Sequence, residues 1–414
     1  VPPDAREQLA AWVPRLLAVW RSGAGRSGPR PAPGPGRGRH GQRFPGPPRG
    51  RDAGRRPPDD ALLPDELRSV GAAVERLSHG LTREREMAGA RYMDEEKLLG
   101  AYLLYYWPTS YLQARGILSE LPRRPGRVLD LGSGPGPVAF AALDAGASEV
   151  MAADRSARAL AAATALAREA GEALATREWN PTRPGALAQL AGGRTFDLVT
   201  VGHVLNELWK GQDEDARRAA LLEEAAGLVA PGGSLLVMEP ALRDTSRALL
   251  RLRDRLVERG FAVRAPCLFR GACPALTKES DWCHAERPVE PPPLVAQLAR
   301  AAGLRREAVK MSYLVLAPKG EGWAAAPPGR VFRIVSEPLA GKGRLRYMGC
   351  GPEGRMGLSL QEKHLTERNR GFERLLRGDV VEVTGGEPRG DGWALDADSS
   401  VRVIAPAGRP VPLV

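Results

Sequence analysis

Three groups of residues in this chain have types and spacings that could do chemistry. The first is the run VLDLGSGPGPVAF, Val128 to Phe140: a strand-like apolar stretch ending in an acid, Asp130, then Gly132, Ser133, Gly134 and Gly136 before a helical pattern begins. Glycines at such a turn let the backbone approach a ligand closely. Their G-x-G-x-G spacing differs from the G-x-G-x-x-G of a dinucleotide site, and the Asp130 carboxylate would repel a pyrophosphate but suit the cationic methionine portion of S-adenosylmethionine. Asp154 closes the next strand-like run, VMAAD, where a carboxylate can accept both hydroxyl hydrogens of a ribose. The second group is His203, Asn206 and Glu207 in GHVLNEL, polar side chains just past the run FDLVTVG. The third is the complete set of cysteines, Cys267, Cys273, Cys283 and Cys350, three of them in APCLFRGACPALTKESDWCHAE and the last in RYMGCGPEG. Four thiolates suit either a tetrahedral zinc or an iron–sulfur cluster. Intervals of five, nine and sixty-six residues are wide for paired zinc knuckles and suit the larger cluster. So few cysteines in 414 residues imply no disulfide framework.

The elements that must position these groups follow from periodicity. Strand-like runs alternate with Ala-rich helical runs from Arg127 onward, which predicts parallel crossover units in a three-layer α/β domain over 127–318, interrupted by a Pro- and Gly-broken insertion at 265–285. Ligands in such sheets sit beyond the carboxyl ends of the strands, where the first two groups fall. A short amphipathic helix is predicted over 1–20, and a helical region over 59–126 in which Trp107-Pro108 should end one helix and start the next at Thr109. Short runs at VFRIV, GRLRYMG, DVVEV and VRVIAP predict a small β domain over 325–414.

Charge is distributed unevenly. The formal net charge is +11, but Arg21 to Pro58 holds ten Arg, ten Gly and nine Pro against one acid, so 21–58 is predicted to be a disordered arm contributing most of the excess. Lys342 to Arg377 holds nine basic and four acidic residues. With Tyr347, Lys363, His364 and Arg370 this part of the β domain could contact an RNA backbone. No window approaches a membrane span and no signal-like succession opens the sequence, so no membrane partner is expected. A cytoplasmic location is the default, with a mitochondrial alternative if a targeting segment was removed before Val1.

Across Arg127 to Pro240 the sequence resembles the class I, S-adenosylmethionine-dependent methyltransferases, on DLGSGPG and the acid at Asp154. The resemblance implies a Rossmann-like sheet preceded by helices, with Trp179 and Asn180 flanking the adenine. It also implies that GHVLNEL lines the cofactor and acceptor pocket, so that His203, Asn206 and Glu207 are the candidate catalytic groups. No Asn-Pro-Pro-Tyr tetrapeptide of the amino-base enzymes occurs, nor a cysteine within the core to attack a pyrimidine. DLGSGPG, GHVLNEL, the PC…CP…DWCH insertion, KMSYLVLA and a late fourth cysteine together resemble the methyltransferase-like assembly proteins of the mitochondrial small ribosomal subunit and their bacterial relatives, over roughly Leu98 to Ile404. That resemblance implies a [4Fe-4S] cluster on the four cysteines and small-subunit ribosomal RNA as partner. Two readings stay open: an RNA methyltransferase, and a non-catalytic assembly factor that uses the fold to bind ribosomal RNA.

Overall fold

A computed structural model describes residues 1–23, 59–305, 307–325 and 327–412. The arm expected at 21–58 therefore lies, from residue 24 on, outside the described residues. The helices are α1 (Pro3–Ser22), α2 (Pro64–Ser78), α3 (Glu96–Ala101), α4 (Trp107–Leu118), α5 (Pro137–Asp144), α6 (Ala157–Ala170), α7 (Ala186–Ala191), α8 (Glu214–Ala226), α9 (Arg243–Glu258) and α10 (Pro293–Ala301). Among the described residues no helix is long and apolar enough to cross a membrane.

Alternation along the apolar runs explains the layers. Successive side chains of a strand point to opposite faces. Val128, Leu198 and Leu236 thus enter one core with α1, α4 and α5, while Leu129, Val199 and Leu235 enter another with α8 and α9. The strands are β1 (Arg127–Leu131), β2 (Glu149–Asp154), β3 (Ala175–Glu178), β4 (Phe196–Gly202) and β5 (Val229–Pro240), parallel in the order β3-β2-β1-β4-β5. The order reverses direction between β1 and β4, the position where open α/β sheets bind ligands. The sheet is mixed rather than all parallel: β8 (Ala308–Leu316) runs antiparallel to β5, and β6 (Val263–Ala265) and β7 (Ala285–Pro288) share its outer edge.

The expected break at Trp107-Pro108 does not occur. The chain stays helical from α3 into α4 through a π-type turn at Tyr102–Tyr106, in which the Trp107 N–H reaches the Tyr102 carbonyl. The wider turn accommodates a proline that can neither donate nor tolerate the carbonyl four residues back. It also aims the Trp107 indole N–H at the Pro135 carbonyl, 3.1 Å away, within the glycine loop.

A second sheet follows, with β9 (Arg330–Ile334), β10 (Leu339–Gly341), β11 (Arg344–Gly351), β12 (Gly354–Gln361), β13 (Val380–Thr384), β14 (Glu387–Arg389), β15 (Gly392–Leu395) and β16 (Ser400–Ala405) in the order β14-β15-β12-β11-β9-β13-β16, and β10 paired to β11. Phe332, Ile334, Leu358 and Val381 form its core. A buried ionic joint ties it to the first sheet. The Glu120 carboxylate accepts from Arg287 (2.7 Å), Arg333 (3.4 Å) and the Tyr313 hydroxyl (2.7 Å), so groups from β7, β8 and β9 meet behind α4.

Candidate functional site

A cavity of about 370 Å³ opens at the carboxyl ends of β1, β2 and β4, where the sheet order reverses. Gly132, Asp154, Trp179, His203, Asn206 and Glu207 line it. Gly132 has φ 69°, and a Cβ there would come within 2.2 Å of Val204, so both backbone shape and space require glycine. Asp154 accepts from the Gly134 and Ser156 N–H groups at 2.8 Å each. Trp179 is 4% exposed and its indole N–H is buried without a partner, a donor left for a ligand.

Asp130, Ser133, Gly134, Gly136 and Asn180 lie outside the cavity wall. Asp130 is 1% exposed. Its oxygens are taken by the Ala139 N–H (3.1 Å) and the Thr200 hydroxyl (2.6 Å). It anchors α5 and β4 behind the loop and does not reach the cavity wall. Ser133 is buried, with its N–H on the Ala153 carbonyl at 3.0 Å. Asn180 closes a local turn by accepting from the Thr182 N–H and hydroxyl.

The three catalytic candidates differ in what they have free. Asn206 accepts from Arg85 (3.0 Å) and donates to the His203 carbonyl (3.1 Å), so its amide is committed to shape. Glu207 accepts from the Tyr92 hydroxyl at 3.0 Å. His203 sits at φ 60°, and its Nε2 is 2.9 Å from Gln113 Oε1, while Gln113 Nε2 donates to the Lys310 carbonyl at 2.7 Å. A carbonyl can only accept, so the Gln113 amide must present its oxygen to the imidazole. His203 Nε2 therefore carries the hydrogen and Nδ1 the lone pair. Burial lowers the His203 pKa to about 4, which makes the neutral ring a hydrogen-bond acceptor and a weak base. Burial also raises Asp154, and pushes Asp130, Glu207 and Glu239 to about 7 each. Carboxylates desolvated together in this way favour a cationic ligand.

Sequence reasoning missed the wall opposite the strands. Residues 79–95 cross over the cavity: Arg155 donates to the Gly89 and Ala90 carbonyls, Ser156 donates to Asp94 at 2.7 Å, and Tyr92 reaches Glu207. Tyr102 and Tyr106, within the helical region expected over 59–126, line the cavity beside Gln113. A mixed polar and aromatic segment without periodicity offers no sequence signal for this placement.

A second cavity of about 70 Å³ lies at the joint between the sheets and is lined by all four cysteines, Cys267, Cys273, Cys283 and Cys350. The thiols are free. Burial raises the pKa of each, that of Cys283 to about 11. Among the described residues no group of three or more His, Cys, Asp or Glu side chains is gathered as the ligands of a metal ion. A cysteine-ligated insertion at 265–285 is thus present as a thiol-lined cavity and not as a formed metal site.

On the second sheet, Lys342, Arg346, Lys363, Arg368 and Arg374 are exposed. Tyr347 is corrected from RNA-facing to core: it is 1% exposed and packs edge-on against Phe372, ring centroids 5.1 Å apart. Its alternating strand position turns it inward while Arg346 faces out.

No curated protein matches the chain. Among solved structures it is similar to an O-methyltransferase family protein from Burkholderia thailandensis, at 20% identity over 58% of this chain and 64% of that one, with a TM-score of 0.33. It is similar to the ribosomal protein L11 methylase from Lactobacillus delbrueckii subsp. bulgaricus, at 16% identity over 51% and 78%, TM-score 0.30. It is also similar to TrmN from Thermus thermophilus, at 20% identity over 52% and 53%, TM-score 0.33. The chain thus covers less than two thirds of the first of these proteins and about half of the last. Residues 97–393 match the family described as mitochondrial small ribosomal subunit Rsm22, and since they are well over half of the sequence the chain belongs to that family.

Proposed function

We propose that this protein binds S-adenosylmethionine in the cavity at the sheet reversal and acts on small-subunit ribosomal RNA or on its assembly. The observation that carries the reading is the convergence of Gly132, Asp154, Trp179 and Glu207, from four separate strand ends, on one cavity among buried carboxylates. The cofactor would supply an electrophilic methyl group on a sulfonium. Asp154 is positioned for the ribose hydroxyls, the free indole N–H of Trp179 for an acceptor on the base, and the Gly132 backbone for close approach. Trp107 holds the loop from behind through Pro135. His203 Nδ1 would accept a hydrogen bond from the acceptor group and orient it; with its low pKa it would not take up a proton near neutrality.

That last point, with Asn206 also committed, removes two of the three catalytic candidates and favours the second reading, a non-catalytic assembly factor; under the first reading Glu207, raised to about 7, is the candidate left to take a proton. Residues 127–318 would form the cofactor unit and 325–414 the RNA-contacting unit, through the exposed Lys342, Arg346, Lys363 and Arg368. The four cysteines fit an iron–sulfur cluster by donor chemistry, four soft thiols on one buried cavity, with a single zinc as the alternative. The family's description favours the mitochondrial alternative over the cytoplasmic expectation.

Calorimetry with S-adenosylmethionine on the wild type and on Asp154→Ala tests the site; equal affinity in both would remove it. Labelled methyl transfer to small-subunit particles from a deletion strain then separates the two readings. Incorporation at one nucleotide identifies an enzyme, and particle binding without incorporation identifies an assembly factor.

A further inference from the structure

Guanidinium groups line the cysteine cavity, among them those of Arg333 and Arg355. Cys350 on β11 is directly opposite Arg355 on β12 and Arg333 on β9. Residues opposed across antiparallel strands share a face, so one guanidinium stands on each side of the fourth thiol. Behind the loop that carries the first two cysteines, Arg253 of α9 donates to the carbonyls of Phe269 and Gly271. Its neighbour Asp254 accepts the Cys273 N–H at 3.0 and 2.9 Å. The pair shapes the loop, and of the two it is Arg253 that sets a positive charge beside Cys267.

These arginines are not used up. The Nε groups of Arg253, Arg333 and Arg355 are buried without a partner, although Arg253 is 1% and Arg333 5% exposed. A buried donor left unsatisfied is costly, and three of them around the four cysteines point to an occupant rich in acceptors. The nearby carboxylates do not supply it. Glu120 is shared between Arg287 and Arg333, Asp254 is beside Arg253, and Asp281 pairs with Arg355.

We propose that Arg253, Arg333 and Arg355 form a cationic shell that compensates a net dianionic, thiolate-held centre in this cavity and makes that centre easier to reduce. The inference rests on the iron–sulfur reading of the four cysteines given above. Four thiolates on a [4Fe-4S]²⁺ core sum to −2. Adding one electron from an electrode takes the sum to −3, with no bond broken and no proton moved. The more negative state gains more from fixed positive charge at short range in a low dielectric, so the shell raises the potential. A zinc tetrathiolate has the same charge and no such couple.

Arg355 is the position to change, because its side chain is 19% exposed and it stands apart from the Glu120 joint. The full chain, purified without oxygen as wild type, Arg355→Gln and Arg355→Lys, is titrated electrochemically with the reduced cluster read by electron paramagnetic resonance. At the wild-type midpoint, Arg355→Gln is expected to lower the ratio of reduced to oxidised cluster about tenfold, 59 mV for a one-electron couple, at unchanged iron content. Arg355→Lys, which keeps the charge, should stay within about threefold. Coincident titrations of all three proteins, or equal shifts in both variants, would overturn the shell. If Arg355→Gln fails to retain iron, retention by Arg355→Lys supports charge compensation, and loss in both overturns it. A wild type that is colourless and iron-free defeats the cluster reading itself, before any variant is compared.

Discussion

The cavity at the sheet reversal sets Asp154 and Glu207 on its wall, with Asp130 and Glu239 just behind, and among them Arg155, which holds the segment 79–95 across the opening. The cavity between the sheets sets four thiols inside a ring of arginines. One is roomy and built around buried carboxylates; the other is small and built around thiols and arginines. They also differ in how the chain makes them. The strand-side wall of the first is assembled from turns that directly follow strands, each a few residues long. The second needs Cys350 to meet Cys283 across sixty-six intervening residues, and so depends on two sheets being docked correctly. The contrast teaches that a motif cavity can tolerate changes at the joint, whereas the cysteine cavity cannot.

The sharpest break in that comparison is Glu120→Ala. It leaves Arg287 and Arg333 buried without their carboxylate, a loss of about 3–5 kcal/mol for a broken buried pair. Urea unfolding should show that loss, while the folded fraction keeps its affinity for S-adenosylmethionine. An effect on cofactor affinity as large as that on stability would show the two cavities to be one cooperative unit. Gly132→Ala tests the other side. With φ 69° and Val204 2.2 Å from the added Cβ, the strain is about 1–3 kcal/mol, and calorimetry should register a cofactor affinity at least about tenfold weaker.

A smaller effect separates the cavities by pH. Burial holds Glu207 at about 7 in the free protein, and a cationic ligand binds the ionised carboxylate. Affinity should therefore rise as the pH climbs through that value and fall below it; a carboxyl at its ordinary pKa near 4.3 would leave the same range flat. Between about pH 6 and pH 8 the wild type should gain severalfold and Glu207→Gln much less, with the Glu207 carbon resonance followed by NMR as the direct check. The smallest effect is expected on the second sheet. Arg346→Gln should weaken RNA binding uniformly and reduce the salt slope by about one, while Tyr347→Phe, at a core position, should leave RNA affinity unchanged.

Legibility in the sequence followed the length scale of each feature. The glycine loop, the acid at Asp154 and the GHVLNEL segment all end strands, and the sheet brings those ends together whatever packs around them. Asp130 was read as a ligand contact because its place in the motif is visible, but its direction is set by Thr200 on β4 and the amino end of α5. The strap over residues 79–95 went unseen because its contacts, such as Tyr92 to Glu207, lie more than a hundred residues apart in the chain. Trp107-Pro108 looked like a helix break because proline rules are local; the π-type turn before it is a response to the surrounding core.

Residue order alone carried the α/β alternation, the positions of the two strand-end acids and the fact that every cysteine lies after the fifth strand of the sheet. Hydrophobic periodicity and turn chemistry act over a few residues and survive any packing. Tertiary structure alone decided that Asp130 faces inward, that His203 presents Nδ1, that Tyr347 is core, and that arginines from α9, β9 and β12 surround four thiols. Each of these depends on which element lies opposite, and burial, hydrogen-bond direction and local field are properties of neighbours in space, not of neighbours in the chain.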